Sequence, residues 1–578
     1  MFLCININVK KLETYLYLID YKIVSDYKKL KEKIMKFQKT LLVVGSTLLA
    51  ASMTACGGNN NSVSETPDDI LDTSTVINDL QMAGDEIDYG EDGINIKLWS
   101  IVTKPDDSAL EKLITKFNEE HLGSIHIEVK SIGHYDYYTT LKNTWQQDPS
   151  SRPDMCLMHN EKTIEYARLG YLYPLDSFFE PTGVDFDFTQ VYENIDRVTH
   201  YKDRRFAIPL DAHGFLTSFR QDIIKKNNLG FDNNTRFIPE SRAEYQTLLE
   251  GARKLADEGN LWVRNINKLD YPVSGHAHEW YQLSTTEAQS FFPSFPQSTD
   301  PDGLSSLYAN GGTLTNEDQT KITFQENKGF QTYLTDQVDR YNAKLIGESG
   351  TNLEMFGTGN TLMFSEGPWW VGQQYTSQFN SAELKQTEVE RAGKKYSTGI
   401  TAEDAADPVY NSPYVASHPK GWWTLDENKN SETAQKWYGN GHAISITRNV
   451  TSMTKVAGAL TFINWLTQGK DFDDQNTYNL TNWTVAGHLP AWKNVYNSDT
   501  YKTVANKSVV LTALGDPADI IAMEGLEYET TIFDGLAGAV GQVQAAVKTS
   551  TGCTTSRAIQ ILQEVASSTQ AALDLLKL

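Results

Sequence analysis

The chain is expected to fold as an α/β protein of more than one lobe, and three observations carry that expectation. From residue 94 onward, segments with period-two apolar spacing alternate with segments of helical spacing. The 578 residues exceed what one ordinary hydrophobic core organises. The four cysteines, Cys4, Cys56, Cys156 and Cys553, form no CxxC or Cys/His pair, so neither a disulfide framework nor a zinc module replaces packed cores.

In chain order, the first recognisable unit is MKFQKTLLVVGSTLLAASMTACGG at residues 35–58. Lys36 and Lys39 precede an apolar run from Leu41 to Ala51, and small residues lead to Ala55-Cys56, the order of an export signal. The run is shorter than the roughly 20 residues a membrane span needs, so removal is expected. MTAC resembles a bacterial lipobox, in which cleavage before Cys56 leaves a diacylglycerol-bearing cysteine. Residues 35–55 are therefore read as a lipoprotein signal peptide. Residues 1–34 are read as an upstream extension, with translation starting at Met35. The expected location is the extracytoplasmic face of the cell membrane, lipid-anchored. Residues 56–93 are small, polar and acidic, and read as a flexible tether.

INIKLW at 94–99 is the first strand and SALEKLITKFNEEH a helix whose stripe is Leu110, Leu113, Ile114 and Phe117. IHIEVKSI is a second strand, YYTTLKNTWQQ a second helix, PDMCLM a third strand and IEYARLGYLYPLD a helix with its exit. This alternation at βαβ spacing implies a mainly parallel sheet covered on both faces. RRFAIPL and GFLTSF read as strands before the helix QDIIKKNNL, and ESRAEYQTLLEGARKLAD as a helix capped by Ser241. Residues 262–320 are irregular. KGFQTYLTDQVDRYNA, TKVAGALTFINWLTQ and SRAIQILQEVASSTQAALDLL are amphipathic helices.

The formal charge is −23 for the whole chain, and the first 55 residues carry nine lysines against four acidic residues, so the chain from Cys56 carries −28. Such a surface repels phosphate backbones, and no basic stripe offsets it, which excludes nucleic acid as a partner. Cys156 and Cys553 read as buried thiols.

Taken in order, these segments resemble the extracytoplasmic solute-binding proteins of ABC importers, in particular the carbohydrate-binding group. The pieces that carry the resemblance are ITKFNEEHLGSIHIEV, RPDMCLMHNEKTIEYARLGYLYPLD, RRFAIPLDAHGFLTSFRQDIIKKNNL, FGTGNTLMFSEGPWW, GHAISITRNVTSMTKVAGALTFINWL and GHLPAW. Phe219-Arg220 departs from the usual Tyr-Asn. The resemblance implies a two-lobe periplasmic-binding-protein-like α/β fold with a ligand cleft between the lobes. It places residues 94–209 and 357–440 in lobe I, and 210–356 and 441–578 in lobe II. It further implies a monomer that captures a sugar, an oligosaccharide by preference, and delivers it to ABC permease subunits, without catalysis and without a cofactor.

Sugars need flat aromatics for their C–H faces and planar polar groups for their hydroxyls. Of the 12 tryptophans, two doublets stand out, Trp369-Trp370 and Trp422-Trp423. Adjacent side chains of an extended segment point to opposite sides, so each doublet is expected to send one indole to the cleft. Trp369 falls on the family's Gly-x-Trp position, Trp422 is chosen on chemistry alone, and Trp99 ends the first strand, where open α/β sheets face their ligand. For hydroxyls the candidates are His159, Asn160 and Glu161 after the third strand, Asp211 and His213 at the lobe crossing, Glu366, and His442. Met158 stands where an aromatic is frequent in sugar binders, so no maltose-like ligand is assigned.

A surface glycosidase is the main rival, with Asp211 and Glu366 among 74 acidic residues able to supply a carboxylate pair. A receptor for a non-sugar solute and a structural surface lipoprotein are the others. No G-x-S-x-G, H-E-x-x-H or P-loop is present. The His276, His278 and Glu279 cluster fits no zinc spacing and DENKN at 426–430 lacks the rest of a calcium loop, so no metal ligand is assigned.

Overall fold

The computed structural model describes residues 71, 77, 78, 80 and 87–577, apart from 105, 148, 268–278, 296–300, 348–352, 369–387, 392–393, 398–405, 506–507 and 550–551. The leader at 35–55, Cys56, Trp369, Trp370, His276 and His278 lie outside the described residues.

The alternating stretches become the elements that their spacing predicts. They are β1 (Ile94–Ser100), α1 (Asp107–Glu120), β2 (Ile125–Ser131), α2 (His134–Trp145), β3 (Met155–His159) and α3 (Thr163–Arg168). Three short strands follow, β4 (Ile208–Pro209), β5 (Asp211–Ala212) and β6 (Leu216–Phe219). Beyond them come α4 (Arg242–Asp257), β7 (Ser294–Phe295), α5 (Lys328–Asn342), β8 (Met363–Glu366) and β9 (Val415–Ser417). The chain ends with β10 (His442–Ile446), α6 (Met453–Thr467), α7 (Asn479–Thr484), β11 (Leu489–Pro490), α8 (Glu529–Val547) and α9 (Thr555–Leu576).

One sheet has the order β2-β1-β3-β10-β4, with β1 parallel to β2 and β3, and β10 antiparallel to β3 and β4. On α1 the buried residues are the expected stripe of Leu110, Leu113, Ile114 and Phe117. The Phe117 ring is fully buried against His121, Phe462 and Trp465, so α1 and α6 share one core. The second sheet has the order β7-β8-β6-β9 and packs with α4, α5, α8 and α9 around a separate core. Ser241 caps α4 as its position predicts, its side chain accepting from the Glu244 N–H. Arg220 is fully buried at the end of β6, forked onto Asp222 at 2.9 Å and donating to the carbonyls of Phe356 and Arg264. This accounts for an arginine at a position where the family pattern has asparagine.

The expected lobe boundaries disagree with the strand pairing after the first crossing. β8 and β9 complete the second sheet, whereas 357–440 was expected in the first lobe. β10 lies inside the first sheet and α6 on its core, whereas 441–578 was expected in the second. The chain returns to the second core from Met523 onward, through α8 and α9. The cause is pairing: every residue of β10 is buried, and its register against β3 sets Ile444 opposite Leu157. The tether expectation also needs correction. Leu80 is buried, and Leu71 and Ile77 pack against the first core, so apolar residues too sparse for a core of their own dock onto an existing one.

α8 was not foreseen, because Gly535, Gly538 and Gly541 lower its helix propensity. A Cβ at Gly535 would meet Thr569 Oγ1 at 2.3 Å, so that glycine lets α9 approach. Among the described residues no helix is long and apolar enough to cross a membrane. Cys156 and Cys553 are buried free thiols.

Replacing Phe117 with Ala removes the ring shared by α1 and α6. A loss of about 3–5 kcal/mol is expected from urea unfolding.

Candidate functional site

β4, β5 and β6 carry the chain from the first sheet to the second, and Asp211 sits in the middle of that passage with no exposed surface. The returning segment 440–442 is zipped against it. His213 N–H donates to the Asn440 carbonyl at 2.8 Å and Asn440 N–H to the His213 carbonyl at 2.7 Å. Leu210 N–H donates to the His442 carbonyl at 2.8 Å, and His442 N–H donates to Asp211 Oδ1 at 2.9 Å. Gly441 is required between them, because a Cβ there would meet the Asp211 carbonyl oxygen at 2.1 Å.

The Asp211 carboxylate gathers side chains that are far apart in sequence. His442 Nδ1 lies 3.0 Å from Oδ2, and His213 Nδ1 3.2 Å from Oδ1. The Trp483 indole N–H, from α7, donates to Oδ2. His488, just before β11, is fully buried, with Nδ1 3.3 Å from His213 Nδ1 and 3.9 Å from Asp211 Oδ2. Its Nε2 lies 3.3 Å from Asp106 Oδ2, and its ring stacks on Trp483 with centroids 5.0 Å apart and planes 5° from parallel. Four potential metal-ligating atoms, from Asp211, His213, His442 and His488, lie within 4.8 Å of one another.

The electrostatics follow from burial and charge. Burial alone pushes the Asp211 carboxyl up, but the His442 and His488 charges and the bonds from His213 and His442 outweigh it and hold it well below the usual range. Burial pushes His213 down to about 4, against the opposing pull of Asp211. Burial also disfavours a His488 cation, yet the Asp211 and Asp106 carboxylates more than compensate and raise it.

A second ring of polar groups lies around the C-terminal end of β3. His159 is half-buried, its ring 5.4 Å from that of His442, 6.3 Å from Tyr138 and 5.2 Å from exposed His134. Asn160 N–H donates to the Gly441 carbonyl at 2.9 Å, and Glu161 Oε1 accepts from Asn440 Nδ2 at 2.6 Å. Lys162 pairs with Glu529 at the first turn of α8, and Glu165 Oε2 accepts from the Thr530 N–H at 3.0 Å. A carboxylate from the first core thus caps a helix of the second. Burial first, then the Glu529 carboxylate, pushes Glu161 up to about 8.

His159, Asn160, Glu161, Asp211, His213 and His442 therefore come together. Glu366 ends β8, nearly buried, its Oε2 accepting from the Gly367 N–H at 2.8 Å. Two residues on, Pro368 abuts Gly487, next to His488. Trp99 does not join the cluster: it is buried in the first core with Lys130 Nζ 4.5 Å over its ring. Trp422 does not either. It is 1% exposed, stacked on Tyr245 and edge-on to Phe219, with its N–H donating to the Pro239 carbonyl. Trp423 is also in the second core, because this doublet occupies a turn and not the extended segment that alternation requires. Trp369 lies outside the described residues. His488, Trp483 and Asp106 escaped the sequence reading: GHLPAW carried His488 only as part of a turn, and no spacing tied it to residue 211.

A family model described as bacterial extracellular solute-binding protein matches residues 112–508. The chain is similar to the sugar-binding protein MalE of Xanthomonas citri, at 14% identity over 84% of this chain and 98% of that one, with a TM-score of 0.56. It is similar to the GacH receptor of Streptomyces glaucescens, solved unliganded and with acarbose, at 13% identity over 82% and 98%, with a TM-score of 0.54. UgpB of Mycobacterium tuberculosis, in complex with glycerophosphocholine, aligns at 13% identity over 84% and 100%, with a TM-score of 0.57. At these identities the likeness is one of fold. No curated protein matches the chain.

A pH dependence follows from Glu161. An unfolded glutamate ionises near 4.5, whereas the folded one keeps its proton to about 8, so the folded state binds the extra proton between these values. The stability from this group is full below 4.5 and declines as pH rises to about 8. Glu161→Gln, which retains an acceptor for Asn440, should flatten that decline in urea midpoints measured across the same range.

Proposed function

This chain belongs to the bacterial extracellular solute-binding proteins, and on that premise we propose that it captures a carbohydrate, an oligosaccharide by preference, between its two cores. The carrying observation is the polar and aromatic wall where the chain passes between the sheets. Half-buried His159 and Tyr138, exposed His134 and the amide and carboxyl groups of Asn160 and Glu161 stand together at the C-terminal end of a parallel strand. Rings of this kind cover the C–H face of a sugar, and planar polar groups reach its hydroxyls. Fold likeness to MalE and to GacH, the latter solved with acarbose, supports the sugar class.

The bound sugar is handed to the permease subunits of an ABC importer, and the protein catalyses no reaction on it. The Asp211 carboxylate supports a binding role. Its two oxygens are engaged by His213, His442 and Trp483, which leaves it poorly placed as a proton donor or nucleophile toward a glycosidic bond. Closure of the cores follows hinge motion about the crossing segments. Cys56, bearing diacylglycerol after removal of residues 35–55, anchors the protein on the outer face of the membrane.

Two measurements check this reading. In a thermal-shift and intrinsic-fluorescence screen of oligosaccharides, with glycerophosphodiesters included as non-sugar solutes, at least one saccharide should stabilise the chain and be recovered unaltered. His159→Ala should weaken that saccharide roughly tenfold, about 1.4 kcal/mol. Hydrolysis products would refute the receptor role, and stabilisation by phosphodiesters alone would refute the sugar class. For the anchor, Cys56→Ala should move the protein out of the detergent-extracted membrane fraction.

A further inference from the structure

We propose that Asp211, His213, His442 and His488 bind one zinc-type divalent metal ion as a structural clamp where the chain passes between the two cores. The proposal is independent of the sugar reading, since none of its observations involves a solute.

The first argument is the shape of the ligand set. A tetrahedral zinc ion with bonds of about 2.0–2.1 Å sets its ligand atoms roughly 3.3 Å apart. From Asp211 Oδ1, His213 Nδ1 and His442 Nδ1 both lie at 3.2 Å, and His213 Nδ1 to His488 Nδ1 is 3.3 Å. His488 Nδ1 lies 3.9 Å from the other carboxylate oxygen, Asp211 Oδ2. All three imidazoles present the same nitrogen, Nδ1, to a common point beside the carboxylate. Hydrogen bonding to one aspartate explains two of these orientations. It does not require His488 Nδ1 to close on His213 Nδ1.

The second argument is charge. Asp211 and Asp106 are buried carboxylates whose ion-pair partners among the described residues are all histidines, with no lysine or arginine. Asp106 Oδ1 is buried without a hydrogen-bond partner. A dication held by three neutral imidazoles balances the two carboxylates. Coordination through Nδ1 places the ring proton on Nε2, which for His488 is buried without a hydrogen-bond partner, 3.3 Å from Asp106 Oδ2, close to the second-shell carboxylate position that orients a metal-ligating imidazole. Protons displaced from Nδ1 pass to Nε2 or to solvent, so binding strengthens as pH rises.

The third argument is rigidity of the surround. Trp483 lies flat on His488 and donates to Asp211, while the His442 amide holds the other oxygen. Three imidazoles and one carboxylate favour zinc over calcium or magnesium, which prefer oxygen. With four protein ligands and burial at 0–6% exposure, the coordination is closed, as in structural and not catalytic zinc sites. The ligands come from the outgoing crossing, the returning strand β10 and the turn before β11, so the ion ties together the segments that a hinge must use.

The test uses the full chain without an affinity tag, stripped with a chelator, dialysed, and titrated with zinc alone. One zinc per chain is expected by elemental analysis, with a rise in unfolding temperature. Cobalt in its place should give the intense visible absorption of tetrahedral coordination. His488→Gln and Asp211→Asn should each weaken zinc at least a hundredfold, while His126→Gln, on an exposed strand position, should not. No retention at micromolar free zinc, a weak octahedral cobalt spectrum, or unchanged affinity in a folded His488→Gln variant would each overturn the proposal. If that variant does not fold, the cobalt spectrum of the unsubstituted chain decides. The titration contains no saccharide, so its failure is separate from failure of the sugar screen.

Discussion

A single carboxylate with no exposed surface, that of Asp211, lies where the chain leaves one core for the other. Burying an ionised carboxylate is costly unless its oxygens are met by donors and its charge by cations. The structure meets that demand with groups from three parts of the chain: His213 on the same crossing, His442 on the returning strand, and Trp483 with His488 late in the sequence. Removing the carboxylate would leave these donors without their acceptor, so this charge orders the crossing segments. The absence of a side chain at Gly441 follows from the same closeness, since the Asp211 carbonyl occupies the space a Cβ would need.

Around this centre lies a looser polar ring that couples the two cores. Lys162 pairs with Glu529, and Glu165 accepts from the amide and hydroxyl of Thr530, so residues just after β3 hold the first turn of α8. Glu161 is in this ring too, raised by burial and by the nearby Glu529 carboxylate. A binding protein that opens and closes must break and remake some of these bonds. The ring is better suited to that than the Asp211 cluster, because His134 and His159 keep access to solvent.

The start of the strand and helix alternation was legible because β1 and β2 alternate apolar and polar residues, and α1 buries the four residues its spacing picks out. Six of the chosen polar residues meet in one cluster for a related reason: strand ends and crossing segments are where an α/β fold leaves polar groups facing inward. Trp99 and Trp422 failed because aromatic content marks cores as readily as clefts. The Trp422-Trp423 doublet lies in a turn, where alternation has no force, and both rings pack with Tyr245. The lobe boundaries failed because an apolar strand carries no label saying which sheet it will join; β10 is fully buried and pairs with β3.

Periodicity, composition and an export-like leader are local properties, and the sequence by itself determined from them an α/β chain of more than one core, an acidic net charge, and most of the helices of twelve residues or more. Which strands share a sheet, where the chain crosses, and that His488 reaches Asp211 across 277 positions and Asp106 across 382 were decided only by the tertiary structure. The physical reason is range. Burial energy and hydrogen bonding at Asp211 act over a few ångströms in space, and nothing in residue spacing records which distant segments will be brought within that reach.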